Sequence, residues 1–227
     1  MNVTTKQLTK EFSRKTAGSN RFTALQPLDF TLASGKLTVL MGRSGSGKST
    51  LLNLLAGLMR PTCGTVSVGD TDLYAMADKE LSAFRNQHIG VIPQGQTAIY
   101  SLNVLENVLL PITLNGSADD TQITYAKELL EQLDIAKLAE VNPSELSGGE
   151  LRRMAIARAF VRHPEIILSD EPTADLDDEN TRIVFESLQN AAHHGASVLM
   201  VTHETGAERF ADRLCLMKSG VLTEAGE

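Results

Sequence analysis

Hydrophobic residues in this chain fall into short apolar runs separated by stretches with helical spacing. Five runs are almost wholly apolar, which is typical of strands that are buried on both faces of a sheet. They cover residues 37–41, 89–92, 166–169, 197–201 and 213–217. Because these runs alternate with helical patterns, the sequence predicts an α/β core with a mainly parallel sheet.

Other segments follow a different pattern. Residues 3–12 and 28–33 alternate apolar with polar positions, which predicts half-buried antiparallel strands. Residues 96–163 have little strand character and contain two predicted helices, one over residues 121–133 and one from near Ser147 to about Arg162. We therefore expect a single domain over residues 1–227. Its α/β core and β subdomain take up 1–95 and 164–227, and an inserted helical subdomain takes up about 96–163.

Composition narrows the class of protein. With 227 residues, 42% hydrophobic and 22% charged, the chain has the composition of a globular protein. No apolar run approaches the roughly 20 residues of a membrane-spanning helix, and the polar N-terminus does not resemble a signal peptide. We therefore expect a cytosolic protein that reaches a membrane only through a partner.

The charge and the metal-binding residue types exclude two further classes of site. A net charge of -7 argues against a nucleic-acid surface and requires any phosphate site to supply its own positive potential. Cys63 and Cys215 are expected to be reduced thiols. His193 and His194 lack further ligands at metal spacing and are expected to be solvated at a helix end.

A glycine-rich motif between a predicted strand and a leucine-rich helix supplies that potential. It matches the phosphate-binding pattern G-x-x-x-x-G-K-[ST]. Its residues are Gly42, Arg43, Ser44, Gly45, Ser46, Gly47, Lys48 and Ser49, and the predicted nucleotide contacts extend to Thr50. Backbone N–H groups and the helix N-terminus face the phosphates, Lys48 reaches the β- and γ-phosphates, and the Ser49 hydroxyl ligates Mg²⁺.

A pair of carboxylates at the end of the third apolar run forms the second half of this predicted site. Asp170 and Glu171 follow a strand at the sheet edge where open α/β folds bind ligands. Asp170 is suited to hold Mg²⁺ through water, and Glu171 is suited to polarise the attacking water as the general base. Together with the glycine loop, the pair predicts hydrolysis of a nucleoside triphosphate.

The segment Leu146-Ser147-Gly148-Gly149-Glu150 closely resembles the LSGGQ signature of ABC ATPases. The order of the other motifs agrees with that family over nearly the whole chain. Gln94 resembles the glutamine of the Q-loop, Ala174-Asp175-Leu176-Asp177 resembles the D-loop, His203 resembles the H-loop histidine, and Phe12 stands where the family stacks an aromatic ring on adenine.

The resemblance implies the ABC ATPase fold, which is a P-loop NTPase core with an N-terminal antiparallel β subdomain and an inserted α-helical subdomain. It also implies an ATPase that uses ATP and Mg²⁺ and forms a homodimer in its ATP-bound state. In that dimer, Ser147 and the N–H groups of Gly148 and Gly149 contact the γ-phosphate held by the other chain. Glu171, His203, Lys48 and Gln94 are the implied catalytic set, with Asp177 in the D-loop. Ser49, Gln94 and Asp170 are the implied metal residues.

Three positions depart from the family pattern. Glu150 replaces the usual glutamine and brings a negative charge near the nucleotide. Gln94 follows Pro93, and Gln96 is an alternative with a different spacing. Phe12 is preferred over Phe22 as the adenine-stacking ring, because Phe22 is expected to pack within the β region.

The resemblance also implies a branch and a partner. Residues 105–111 resemble the branch that contains ATPases of macrolide exporters, lipoprotein-release complexes, the cell-division pair and antimicrobial-peptide resistance transporters. The region from Gln94 to about Pro111 is then expected to receive a coupling helix from a separate permease. The chain would work at the cytoplasmic face of the membrane, in export or extraction of a hydrophobic or peptide-like substrate.

Two alternative functions remain open at this point. The same motor could move a membrane partner without net transport. A non-transport ABC ATPase that acts on DNA or ribosomes is disfavoured, because only about 100 residues separate Gly42 from Ser147 and the chain carries one set of motifs. Its acidic charge also argues against a nucleic-acid partner.

Overall fold

The computed structural model describes residues 1–14, 20–95, 97–114, 116–174 and 176–225. Its strands are β1 (Val3–Arg14), β2 (Asn20–Leu32), β3 (Lys36–Met41), β4 (Cys63–Val68), β5 (Thr71–Asp72), β6 (Ile89–Ile92), β7 (Ile166–Asp170), β8 (Ser197–Thr202), β9 (Arg213–Lys218) and β10 (Val221–Glu224). Its α-helices are α1 (Lys48–Leu55), α2 (Asp78–His88), α3 (Val104–Thr113), α4 (Asp120–Gln132), α5 (Gly148–Phe160) and α6 (Asp178–His193).

A six-stranded sheet forms the centre of the molecule. Its strand order is β10-β9-β3-β8-β7-β6, and all neighbouring pairs are parallel except β10 with β9. A second sheet, with the order β2-β1-β4-β5, is entirely antiparallel. The predicted α/β core and the predicted antiparallel strands are therefore both present.

The central strands are apolar because each face of the sheet is covered. In β3, Val39 packs into a core with α3, α4, α5 and α6, whereas its neighbour Leu40 packs into a core with α1 and the antiparallel sheet. In β8, Val198 and Leu199 divide between the same two cores. Since successive side chains point to opposite faces, a strand with two covered faces is apolar at nearly every position.

The described residues between 97 and 163 form helices and no strand. Helix α4 begins after Asp119, whose side chain accepts from the backbone N–H of Gln122, and buries Ala126, Leu129 and Leu130. Helix α5 begins directly after Ser147, as expected, but ends at Phe160 rather than at about Arg162. Both predicted helices are thus confirmed to within a turn.

Helix α3 was not predicted as a helix. Pro111 lies within it, near its C-terminal end, and interrupts the helical pattern of the sequence. The N-terminal signal was nevertheless available: Asn103 accepts from the N–H of Glu106 at 2.8 Å, and the Glu106 carboxylate accepts from the N–H of Asn103 at 2.8 Å. The buried side chain of Asn107 then fixes the preceding loop through bonds to Ile99, Leu102 and Asn103.

The antiparallel strands are longer than predicted, because β-bulges interrupt the alternation. Between Thr5 and Leu8 the pairing of β1 with β2 shifts register, and Gln7 adopts a positive φ of 48°. Phe22, which is expected to pack within the β region, lies on β2 and is 43% exposed. Within the described residues, no helix has the length and apolarity needed to cross a membrane.

Candidate nucleotide site

Four neighbouring parallel strands end at one edge of the central sheet, and the predicted site residues follow them. The cross-strand pairs at this edge are Met41 with Thr202, Val201 with Asp170, and Ser169 with Ile92. Gly42 immediately follows β3, Glu171 follows β7 and His203 follows β8. Gln94 lies two residues beyond the end of β6. The parallel register therefore brings segments from distant parts of the chain to one edge.

The glycine loop connects β3 to α1, and two of its glycines have no room for a side chain. A Cβ on Gly42 would lie 2.4 Å from the carbonyl oxygen of Met217, and one on Gly47 would lie 2.4 Å from that of Ala24. Gly47 also precedes the first residue of α1 with a φ of 110°, which favours glycine. The base of the loop thus packs tightly against the backbone of neighbouring strands, while Arg43, Ser44 and Gly45 are exposed at its tip.

Lys48 lies in the first turn of α1 with its ammonium turned into the loop. The residue is buried, and its Nζ donates to the carbonyl oxygens of Gly42 at 2.7 Å and Arg43 at 3.2 Å. The buried hydroxyl of Ser46 has no hydrogen-bond partner among the described residues. These donors and the helix N-terminus form a positive cradle that fits a chain of phosphates.

Asp170 faces this cradle from the end of β7. Burial raises the pKa of its carboxyl group, which is opposed by a hydrogen bond with the Ser49 hydroxyl and by the charge of Lys48. A buried carboxylate beside a hydroxyl presents the hard oxygen ligands that Mg²⁺ prefers. Ser49 and Asp170 therefore fit a magnesium ion at the phosphates, and Thr50 is half-buried behind them.

Glu171 is held in an uncommon backbone conformation, with a φ of 49°. Its carboxylate is buried, lies 2.9 Å from His203 Nδ1, and accepts a 3.3 Å hydrogen bond from the backbone N–H of His203. The hydrogen bond to Glu171, followed by the charge of that carboxylate, raises the pKa of the His203 imidazole. The structure thus joins the predicted base and the predicted histidine as one pair.

Gln94 is exposed, and an unpredicted arginine holds its backbone. Arg152 of α5 donates to the carbonyl oxygens of Pro93 at 2.6 Å and Gln94 at 2.5 Å. A single arginine on a helix carries no signal in the sequence that indicates such a contact. The alternative glutamine, Gln96, lies outside the described residues.

The signature residues lie at the N-terminus of α5 with an exposed Ser147. Its hydroxyl and its backbone N–H both donate to the Glu150 carboxylate at 2.7 Å, and its Oγ accepts from the N–H of Glu150 at 3.3 Å. These bonds lower the pKa of the Glu150 carboxyl group. Gly148 is exposed and Gly149 is half-buried beside Leu176. Within the described residues, the hydrogen bonds of the Ser147 side chain go to Glu150 and not to the glycine loop.

The D-loop region connects to the signature helix. Asp177 caps α6 by accepting from the backbone N–H and the Nδ2 of Asn180, each at 2.8 Å. The oxygen of the Asn180 side chain accepts from Arg153 of α5. Asp175 lies outside the described residues.

Phe12 and Phe22 are directly paired on β1 and β2, and both rings are exposed. The ammonium of Lys10 lies 5.2 Å from the centroid of the Phe12 ring. Residues opposite each other in an antiparallel pair share a face, so the two candidate adenine contacts are neighbours on one surface.

The sequence and the fold of this chain are similar to those of known proteins. The family model described as ABC transporter matches residues 25–174. The chain is 39% identical to the lipoprotein-releasing system ATP-binding protein LolD of Xanthomonas axonopodis over 91% of this chain and 85% of that protein. It is 36% identical to the macrolide export ATP-binding/permease protein MacB of Chlorobaculum tepidum, over 91% of this chain and 32% of that protein.

A solved structure matches over the full length. It is the dimeric ATP-binding cassette MJ0796 in a post-hydrolysis state bound to ADP and Pi, which is 32% identical with a TM-score of 0.89. The match covers 99% of each chain.

The pairing of His203 with Glu171 predicts that the pKa of the His203 imidazole is raised. Because protonated His203 is stabilised by the carboxylate, its pKa is expected above the ordinary value, and the pair weakens as pH rises through that raised pKa. Glu171→Gln should lower the pKa of His203, as followed by NMR titration of the imidazole. Glu208→Gln removes a carboxylate outside this pair and serves as the control. An equal pKa in the parent and in Glu171→Gln would contradict the pairing.

Proposed function

Because this chain belongs to the ABC transporter family and is an ABC ATPase, we propose that it is the motor subunit that drives a separate membrane permease. The observation that carries this proposal is the joint placement of Lys48, Asp170, Glu171 and His203 at one sheet edge. That arrangement has the groups needed to bind a triphosphate, hold its metal and activate water.

ATP is held by the glycine loop and by the exposed side chain of Phe12. Backbone N–H groups from Gly42 to Thr50 and the Lys48 ammonium contact the phosphates, and Phe12 stacks on the adenine. Lys48 has to exchange its bonds to the carbonyl oxygens of Gly42 and Arg43 for phosphate oxygens. Since those carbonyls are neutral, a phosphate anion is the stronger acceptor for a buried ammonium.

Mg²⁺ is held by Ser49, Asp170 and Gln94, and when bound it neutralises charge on the β- and γ-phosphates. Glu171 accepts a proton from the attacking water. Its hydrogen bonds with His203 orient the carboxylate, so that its other oxygen can face the phosphate side of the sheet edge. His203, exposed at the surface, contacts the γ-phosphate.

The complete site is composed of two chains. Ser147 and Gly148 are exposed and Gly149 is half-buried at the N-terminus of α5, and the described hydrogen bonds of the Ser147 side chain go to Glu150 within the signature. We assign it to the γ-phosphate bound by the partner, with Glu150 at its edge and Asp177 at the contact between the chains. The dimeric state of the similar MJ0796 cassette supports this assignment.

Removal of the proposed base tests hydrolysis separately from binding. Glu171→Gln should bind ATP with parental affinity but lose at least about 100-fold in turnover, because general-base catalysis contributes 10²–10⁴-fold. The bound ATP should hold the protein as a dimer in light scattering coupled to gel filtration.

Glu186→Gln, an exposed carboxylate on α6, is the matched control and should hydrolyse ATP normally. Normal turnover in Glu171→Gln would remove Glu171 from its proposed role.

The permease docks in a basic groove that borders the predicted region near Pro111. This groove has a volume of about 310 Å³. Its described lining includes Arg85, Arg158, Arg162 and several apolar side chains but no acidic residue, although the whole chain has a net charge of -7. The buried Nε of Arg162 has no partner within the described residues. A permease segment with apolar and acidic side chains would complement this surface.

Charge reversal tests the groove. The tagged chain is purified from detergent-solubilised membranes, and the amount of polytopic membrane protein that copurifies with it is measured. Arg162→Glu should reduce this amount by at least about tenfold, because removal of one partner of a buried charge pair weakens binding by that factor or more. Binding of a fluorescent ATP analogue should be unchanged. Arg182→Glu, on the exposed side of α6, is the control. Recovery of the same amount of membrane protein with Arg162→Glu and with Arg182→Glu would exclude the groove as the permease-binding surface.

The transported substrate belongs to the hydrophobic or peptide-like class, and the chain acts in its export or extraction from the membrane. The similarity to LolD and MacB supports this proposal, because the names of those proteins describe lipoprotein release and macrolide export. The chain then works as a peripheral protein at the cytoplasmic face of the membrane. Its residues at about 96–163 act as the helical subdomain that faces the permease.

A further inference from the structure

Two arginines of α5 hold the segment that follows β6. The guanidinium of Arg152 donates from Nη1 to the carbonyl oxygen of Pro93 at 2.6 Å and from Nη2 to that of Gln94 at 2.5 Å. Farther along the helix, Arg158 donates to the carbonyl oxygen of Thr97 at 2.8 Å and to its hydroxyl. The segment is therefore tied to α5 on both sides of Gly95.

Arg152 shares one rigid helix with Ser147. Five positions separate the two residues, which corresponds to roughly 7.5 Å along a helix axis. Between and beyond them, Leu151, Met154 and Ile156 are buried in the core under the central sheet. Because packed helices move as units, a displacement of Ser147 also displaces the guanidinium of Arg152.

The contact is specific to the shape of arginine. Two successive carbonyl oxygens accept from two nitrogens of one planar group, and a lysine offers only a single ammonium for both.

We propose that Arg152 is a positioning residue that fixes Gln94 relative to the signature helix, so that Gln94 and Ser147 of one chain move together. This inference rests on the proposed function, in which these two residues serve different nucleotides. Gln94 acts on the metal of its own chain, whereas Ser147 acts on the γ-phosphate of the partner. Arg152 therefore couples the two composite sites of the dimer.

Coupling of this kind has two consequences. Loss of the grip leaves Gln94 without a fixed backbone and weakens the metal site, although no metal residue has changed. It also removes the path by which engagement of Ser147 at one nucleotide prepares the other site. Since binding linkage is reciprocal, the effect must appear both in metal affinity and in the cooperativity of ATP.

The first test measures metal affinity without turnover. In the Glu171→Gln background with saturating ATP, Mn²⁺ is titrated and its free fraction is followed by electron paramagnetic resonance. Arg152→Met should weaken Mn²⁺ binding by about tenfold, which is typical for loss of a residue that orients a metal ligand. Arg182→Met, which removes an exposed arginine from α6, should leave it unchanged.

Arg152→Lys distinguishes the effect of the two hydrogen bonds of the guanidinium from the effect of its positive charge. It keeps the positive charge but cannot donate along two fixed directions, so its Mn²⁺ affinity should stay within about threefold of the Met variant. Parental Mn²⁺ affinity in Arg152→Lys would contradict the claim that the paired hydrogen bonds of Arg152 to the two carbonyl oxygens fix Gln94. If Arg152→Met fails to give a cooperative thermal transition, Arg152→Gln replaces it with the same expectation.

The second test measures cooperativity by ATP-dependent dimer formation in light scattering. With Glu171→Gln alone, the Hill coefficient should approach 2, and with Arg152→Met added it should fall towards 1. An unchanged Hill coefficient and unchanged Mn²⁺ affinity would overturn the inference while leaving the proposed function intact. Absence of any ATP-dependent dimer in the Glu171→Gln protein would instead contradict the proposed function.

Discussion

The parallel register of β3, β8, β7 and β6 is the constraint on which the site depends. Each strand ends at the same edge and delivers one group: the glycine loop, His203, the Asp170–Glu171 pair and Gln94. A shift of one strand by a single residue would exchange the side chains that pack into the two cores and would also misplace its terminal group. Burial of both sheet faces makes such a shift costly, so the apolar core that stabilises the sheet also sets the geometry of the site.

Electrostatics distinguish this edge from the rest of an acidic molecule. Positive potential comes from Lys48, from the backbone at the start of α1 and from Arg152, while Asp170 and Glu171 stand opposite as the acidic side. Two adjacent carboxylates and a triphosphate repel each other unless a cation lies between them, which explains why the residue set fits Mg²⁺. When protonated, His203 balances part of the charge of Glu171 by direct contact.

Much of this arrangement could be predicted from the sequence. The strands β3, β6, β7 and β8 were recognisable because both of their faces are covered, and the glycine loop was recognisable because its spacing is tied to backbone geometry. The extent of β1 and β2 could not be predicted, since bulges near Gln7 break the alternation. Helix α3 was missed because Pro111 obscured a valid capping pattern at Asn103. The grip of Arg152 on Gln94 depends on the approach of two segments about 60 positions apart, which no local pattern encodes.

The central claim is that each triphosphate is held between the glycine loop of one chain and the signature of the other. It is tested most directly by mixing two inactive proteins, Lys48→Ala and Ser147→Arg. A mixed dimer then contains one site with an intact Lys48 and an intact Ser147. In an equimolar mixture with random pairing, about half of all dimers are mixed. ATP turnover in an equimolar mixture should therefore rise clearly above that of either protein alone, with about one quarter of the parental rate as its upper limit because the intact site is coupled to the damaged one. A mixture no more active than the sum of the separate proteins would contradict the shared site.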